Sequence, residues 1–222
     1  MKILHVSDTH GRFSQRFEEA SVIVHTGDFM PNKTRGVRAI EPGHQEYWIR
    51  SVMPHLVEWC GDRPFLFMPG NHDFFDPCSI MRRAGISAHN LWEQGPKTVN
   101  GVHFGGVPFV PWMGGDWNYE AGEAEIEHYL TFLDDCDVFV THCPPSGVLD
   151  RPYAGFGGRP GSIGSVAIRG YVEKRRPKWH LCGHCHECGG QREMLDETMV
   201  VNGATSARVI DIDAPPPHGG KE

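Results

Sequence analysis

The residues best equipped for chemistry sit in Cys182-Gly183-His184-Cys185-His186, with Lys178-Trp179-His180-Leu181 leading in and Glu187 following. Two neutral imidazoles offered from alternate positions of a loop make half of a transition-metal site. The other half lies upstream, in Asp8-Thr9-His10, Gly27-Asp28, Gly70-Asn71-His72-Asp73 and Thr141-His142, each after a run of apolar, β-prone residues. These donors suit two divalent ions about 3.5–4 Å apart, the separation found in two-metal hydrolytic sites. Asp28 has two oxygens and can bridge; Asp8, His10 and His186 complete one ion's ligands, and Asn71, His142 and His184 the other's. Mixed nitrogen and oxygen donors suit Mn2+ first and Fe, Zn, Co or Ni as alternatives, and a set without thiolates is not that of a closed structural zinc. Such a pair binds a phosphoryl oxygen, lowers the pKa of a shared water and holds the hydroxide for in-line attack on phosphorus. His72 is left without a metal here. Its natural work is to protonate the leaving oxygen, with Asp73 beside it to hold and polarise its ring.

Placing those residues requires strands that end where the polar motifs begin. Lys2 to Ser7 reads as a buried strand, apolar on both faces, and Ser21 to His25 as a second. Between them, Arg12 to Ala20 reads as a short helix. Residues 29–43, with two prolines and two glycines, read as a loop over one end of the sheet. His44 to Cys60 carries Ile49, Val52, Met53, Leu56, Val57 and Cys60 on one helical face, and Pro54 inside it predicts a kink or break. Pro64 to Met68 is a third strand, followed by a short helix over residues 79–84. Asn100-Gly101 between β-prone residues predicts a hairpin with a type I′ turn. Glu123 to Leu133 reads as a helix, Asp137 to Thr141 as a strand, and Ser165 caps a helix from Val166 to Arg175 that Pro177 stops. Strands follow near Thr198 to Val201 and Arg208 to Ile212. All five polar motifs thus follow the C-terminal ends of strands, the edge at which sheets flanked by helices bind ligands.

Composition limits the partners. A formal charge of −7 argues against long nucleic acid, which needs a basic face. The densest basic cluster, Lys174-Arg175-Arg176, sits at a helix end, where it complements the dipole. The sequence has no run long enough to span a membrane and enters a strand without a secretory signal. Seven cysteines in a chain of 222 residues read as reduced thiols of a cytoplasmic protein. The expectation is one domain over residues 1–213 and a disordered tail over 214–222.

The ordered set Asp-x-His, Gly-Asp, Gly-Asn-His-Asp, His, Gly-His-x-His resembles the calcineurin-like metallophosphoesterase superfamily. The resemblance runs from about residue 2 to about residue 213. It implies a four-layer αββα sandwich of two mixed β-sheets flanked by helices, and the ligand assignment above. Gly105-Gly106-Val107-Pro108, Pro111-Trp112, Trp117-Asn118, Thr141-His142-x-Pro144-Pro145 and Gly183-His184-x-His186-Glu187 look like the MPPED class. That class implies phosphodiesterase activity, cyclic nucleotides included. Two positions depart from the superfamily pattern. Pro31 stands three residues after the bridging carboxylate, where many members carry an acid, and Cys185 replaces an aliphatic between the two histidines. Cys185 is not expected to be a ligand.

Other motifs have plainer readings. Cys182, Cys185 and Cys188 are spaced like a zinc or iron–sulfur site, but no fourth cysteine has suitable spacing, and the intervals hold histidines already assigned. His5, His25, His103 and His180 fall within strands and read as structural. Trp112, Trp117 and Tyr119 either stack a nucleobase or pack against the sheet or a partner chain. The glycines between Pro152 and Gly164 lack dinucleotide or P-loop spacing and read as a lid or plain loop. The function expected is a dinuclear-metal phosphodiesterase acting on a small phosphoester, in which a metal-bridging hydroxide attacks and His72 assists the leaving group. A phosphomonoesterase or protein phosphatase of the same fold, a scaffold that binds metal or nucleotide with little turnover, and a cysteine-based metal or redox module are the alternatives.

Overall fold

The structure is a computed structural model and describes residues 1–13, 17–34, 36–151 and 161–214. Its first sheet holds β1 (Lys2–Val6), β2 (Val22–His25), β3 (Phe65–Phe67), β4 (Ala88–Asn90) and β13 (Ala207–Asp211), in the order β13-β1-β2-β3-β4. The second runs β11-β12-β10-β9-β6-β5, from β5 (Lys97–Val99), β6 (Val102–Val107), β9 (Val138–Thr141), β10 (Trp179–Cys182), β11 (Arg192–Leu195) and β12 (Thr198–Asn202). Both are mixed. β1 to β4 pair in parallel, as do β6, β9, β10 and β12, while β13, β5 and β11 are antiparallel at the edges. A third pairing joins β7 (Val110–Pro111) to β8 (Glu120–Ala121).

Alternation along the strands builds three cores. Ile3, Val22, Val24 and Leu66 meet Val138, Val140, Leu181 and Val201 between the sheets. The opposite faces, with Leu4, Ile23, Phe65 and Phe67, pack against α1 (Glu41–Ser51), α2 (Met53–Cys60) and α3 (Cys78–Arg83) through Ile49, Leu56, Trp59 and Met81. On the other side, Phe139, Cys182 and Val200 meet Ile126 and Leu130 of α4 (Glu123–Leu130) and Ile168, Tyr171 and Val172 of α5 (Val166–Arg175). Three buried interfaces make four layers, the αββα sandwich. Among the described residues no helix is long and apolar enough to cross a membrane.

Most predicted elements appear within a residue or two. Pro54 does break the long helix: Val52 ends α1 and begins α2, with Pro54 in the second helix's first turn. Asn100 and Gly101 both have positive φ (51° and 83°), as a type I′ turn requires. The Ser165 hydroxyl caps α5 by accepting from the Ile168 N–H at 3.2 Å. One reading is corrected. Residues 12–13 and 17–20 form loop and turn, not a helix, with 14–16 outside the described residues. Phe13 and Phe17 instead pack onto the α1–α2 core, and the Phe17 carbonyl accepts from Arg63 Nη1 at 2.6 Å. Short strands at β4, β7, β8 and β11 also escaped notice, being too brief to show alternation. Residues 152–160 of the Gly/Pro-rich loop and 215–222 of the tail lie outside the described residues.

Candidate metal centre

The parallel strands of both sheets point their C-terminal ends at one edge, and the polar motifs converge there. Asp8, Asp28, Asn71 and His142 form a buried floor, each at most 3% exposed. His10, His72 and His184 are half-buried above it, and His186 is at the rim. Four of the residues expected as ligands, Asp8, His10, Asp28 and His184, have positive φ between 45° and 67°, a region side chains other than glycine rarely occupy. Such strain collects where function needs a side chain aimed against backbone preference.

Asp28 is the hub. Its Oδ1 accepts from the His72 N–H at 2.8 Å. Its Oδ2 lies 3.4 Å from His142 Nε2 and 3.9 Å from the Nε2 atoms of both His10 and His72. Asn71 Oδ1 is 3.1 Å from the same His142 nitrogen, while His142 Nδ1 donates to the Thr26 carbonyl at 2.8 Å. On the far side, Asp8 Oδ2 accepts from Ser7 Oγ at 2.6 Å and from the His184 N–H at 3.0 Å, and Asp8 Oδ1 lies 3.1 Å from His186 Nε2. Gly70 is required by this crowding, since a Cβ there would stand 2.3 Å from Asp28 Oδ1.

Ligand atoms of Asp8, His10 and His186 lie within 4.8 Å of one another, as do those of His10, Asp28 and His72 and those of Asp8, Asp28 and His142. Among the described residues, no such group contains a cysteine. His184 Nε2 is enclosed and has no hydrogen-bond partner, an arrangement that costs free energy unless something binds that lone pair. Two buried carboxylates, an amide oxygen and an orphaned imidazole nitrogen therefore fit divalent cations.

The electrostatics agree. Burial opposes ionisation of Asp28, but the imidazoles of His142, His72 and His10 outweigh it and hold its pKa well below the usual carboxylate range. Burial likewise works against a charged His142, yet Asp28, Asp8 and the Thr26 carbonyl push its pKa up to about 10. Burial drives His184 down to about 4, and His5, His25 and His180 down to about 3. The last three are neutral structural residues, bonded to hydroxyls of Thr26, Thr9 and Thr141. His103 is structural too, its Nδ1 3.1 Å from Thr98 Oγ1.

Asp73 is placed differently from the sequence expectation. Its carboxylate does not reach the His72 ring. Four main-chain N–H groups converge on it: Asp28 and Gly70 on Oδ2 at 2.8 and 2.9 Å, Met30 on Oδ1 at 3.1 Å, and Phe29 on both oxygens. Burial and the Asp28 charge push its pKa up to about 7 against those donors. With donors alone opposite both oxygens among the described residues, the carboxylate form is the one that fits. Asp73 is a clamp between two loops, and the His72 ring is held by Asn32, whose Oδ1 accepts from Nδ1. Burial lowers the His72 pKa while Asp28 raises it.

Sequence reasoning missed several supports. Gln45 accepts from the Phe74 N–H at 2.7 Å and donates to the His72 carbonyl at 2.7 Å. It falls four residues before Ile49 on the buried face of α1, so a polar residue in an apolar stripe was the available signal. Asn118 donates to the Asp73 carbonyl at 2.7 Å. The Trp112–Tyr119 loop folds around Glu120, which collects the N–H groups of Met113, Gly114, Gly115 and Trp117. It lays Trp117 on the His72 ring, centroids 4.0 Å apart, and leaves Trp112 66% exposed.

Two outcomes follow from this geometry. In metal-free protein, the raised His142 pKa stabilises the fold fully below about pH 6.5, and that contribution is lost as pH rises toward about 10. Thermal melts in chelator should therefore fall over this window, and a divalent ion taking the place of that proton would remove the decline. Asp73→Asn turns an NH2 toward N–H donors and should cost about 3 kcal/mol in urea unfolding of metal-free protein, from lost charged hydrogen bonds. A purely catalytic Asp73 would leave that stability unchanged.

Comparison with known proteins agrees with this architecture. The sequence profile of the calcineurin-like phosphoesterases matches residues 1–188. The human metallophosphoesterase domain-containing protein 1 is 26% identical over 251 aligned positions, covering 96% of this chain and 71% of that protein. A UPF0046 protein of Caenorhabditis elegans is 27% identical, covering 86% of this chain and 65% of that protein. The crystal structure of TT1561 from Thermus thermophilus superposes with a TM-score of 0.62 at 15% identity, covering 95% of this chain and 98% of that one. The likeness in fold, the match along most of the chain and the gathered donors have one meaning: this chain belongs to the calcineurin-like phosphoesterases, a family that uses a dinuclear metal centre.

Proposed function

We propose that the chain is a dinuclear-metal phosphodiesterase acting on a small phosphodiester, a cyclic nucleotide being one candidate. Asp8, His10 and His186 would hold one divalent ion, Asn71, His142 and His184 the other, and Asp28 would bridge them, with Mn2+ the first metal to try. The observation carrying this is the Asp28 carboxylate ringed by imidazole nitrogens of His10, His72 and His142 at 3.4–3.9 Å. When bound, such ions polarise a phosphoryl oxygen and lower the pKa of a water.

The chain's own residues set the rest. Asn32 and Trp117 fix the His72 ring, so its free Nε2 faces the centre and can pass a proton to a departing oxygen. Preference for diesters is supported by room for a second ester group. A cavity of about 410 Å³ opens beside Asp8, His10 and His186 and is walled by Arg12, Phe13, Thr205 and Ser206. The acidic chain disfavours long DNA or RNA as substrate.

A panel of bis(4-nitrophenyl) phosphate, 4-nitrophenyl phosphate and cyclic nucleotides, run with each divalent metal on stripped protein, tests the reading. Metal-dependent turnover favouring diesters is expected; monoester preference, or nucleotide binding without turnover, refutes it. His72→Ala should keep both ions by metal analysis yet lose at least about a hundredfold in kcat, the usual scale of a positioned acid. An unchanged kcat would remove His72 from the mechanism.

A further inference from the structure

The loop between the two ligand histidines carries a second chemistry. Cys185 stands between His184 and His186, and its Sγ lies 3.4 Å from that of Cys188. Both are free thiols, Cys185 fully buried and Cys188 8% exposed. A single 3-10 turn over His186–Cys188, with Cys185 at its start, brings the sulfurs together, and the Cys188 N–H donates to the Cys185 carbonyl at 3.1 Å. Cys188 Sγ also lies 3.8 Å from the Arg151 carbonyl and Cys185 Sγ 3.9 Å from Glu187 Oε2, while the nearby Cys143 and Cys182 thiols reach only the main-chain carbonyls of Pro144, Ile163 and Val201.

The frame on either side of this turn is tied down. Asn202 Nδ2 donates to the carbonyls of Gly183 and Cys185 at 3.1 and 3.2 Å, and the Gly190 N–H donates to the Asn202 carbonyl at 2.7 Å. Gly189 is pressed so closely that a Cβ there would stand 2.1 Å from the Ala204 carbonyl oxygen. Closing the sulfurs to about 2.05 Å, the length of a disulfide, is then taken up by rotation of the two side chains and of the backbone between residues 185 and 188. His186 lies inside that span, whereas the His184 N–H is anchored to Asp8. Cys188 also lines a surface hollow of about 380 Å³ with Leu149, Asp150 and Arg151, so a small oxidant reaches it first.

We propose that Cys185 and Cys188 are a peroxide-oxidisable pair whose disulfide weakens the hold of His186 on a metal ion, the second half resting on the ligand assignment above. The Cys188 sulfur attacks hydrogen peroxide: an S–O bond forms, the O–O bond breaks, and the departing oxygen takes the thiol proton and leaves as water. The Cys185 sulfur then displaces the sulfenic oxygen, which leaves as a second water with the Cys185 proton, and the S–S bond forms. Two thiols and one peroxide become one disulfide and two waters, with two electrons passing to the peroxide.

The test treats the metal-free full chain with hydrogen peroxide and reads peptide mass and Mn2+ binding by calorimetry. Expected are a peptide bridging Cys185 and Cys188, five of the seven thiols still titratable, and Mn2+ affinity about tenfold weaker, the scale of a misoriented ligand. Dithiothreitol should restore both thiols and affinity. Cys188→Ser and Cys185→Ala should keep their Mn2+ affinity through the same treatment. Absence of the bridged peptide, or a bridge with unchanged Mn2+ affinity, overturns the proposal. Failure of the reduced protein to bind Mn2+ would refute the ligand assignment and the metal half with it, while the bridged peptide still decides the dithiol half.

Discussion

The centre depends on one carboxylate whose partners are all main-chain N–H groups. Asp73 draws the N–H groups of Asp28, Phe29, Met30 and Gly70 onto its two oxygens, and so locks the loop after β2 to the loop after β3. These loops carry Asp28, Asn71 and His72. Without the clamp, two carboxylates and two positive-φ turns would have to share a dry edge with nothing to hold the backbone in its costly conformation. The N–H dipoles satisfy a buried charge and, by pointing at it, fix the direction of every side chain that follows.

Around this clamp the strain is distributed. Asp8, His10, Asp28 and His184 all adopt left-handed φ, and each is steadied by a bond that the two-sheet architecture supplies. The His10 N–H donates to the Asp28 carbonyl and the Asp8 N–H to that of Gly27, both at 2.9 Å, while Ser7 and the His184 main chain hold the Asp8 carboxylate. Rigidity at such an edge keeps the donors in place before any ion arrives, the usual requirement for a site of fixed geometry.

What could be read from the sequence was what repeats or punctuates. Apolar strands ending in Asp, Asn or His gave both the sheets and the residues that gather at their edge, and Pro54, Asn100-Gly101 and Ser165 marked a break, a turn and a cap by local chemistry alone. What stayed hidden depends on contacts distant in sequence. Nothing near Asn32 says that it bonds a ring forty positions on, and Asp73 next to His72 suggested a pair that the chain direction forbids. The helix expected from Arg12 to Ala20 failed for a similar reason: Phe13 and Phe17 pack against a core built from distant parts of the chain. The Cys-x-x-Cys spacing was visible, but the sulfur contact was not.

Asp8 and His186 lie 3.1 Å apart across 178 positions of sequence, and the two sheets that bring them together come from successive parts of the chain, with only β13 returning to the first. During synthesis, the ribosome has made Asp8, His10, Asp28 and Asn71 long before β9 and β10 exist to face them. A nascent chain therefore displays acidic and imidazole groups without a cage, and premature capture of an ion there has no second sheet to complete it. The donor set is complete only once the strands of the second sheet lie beside those of the first.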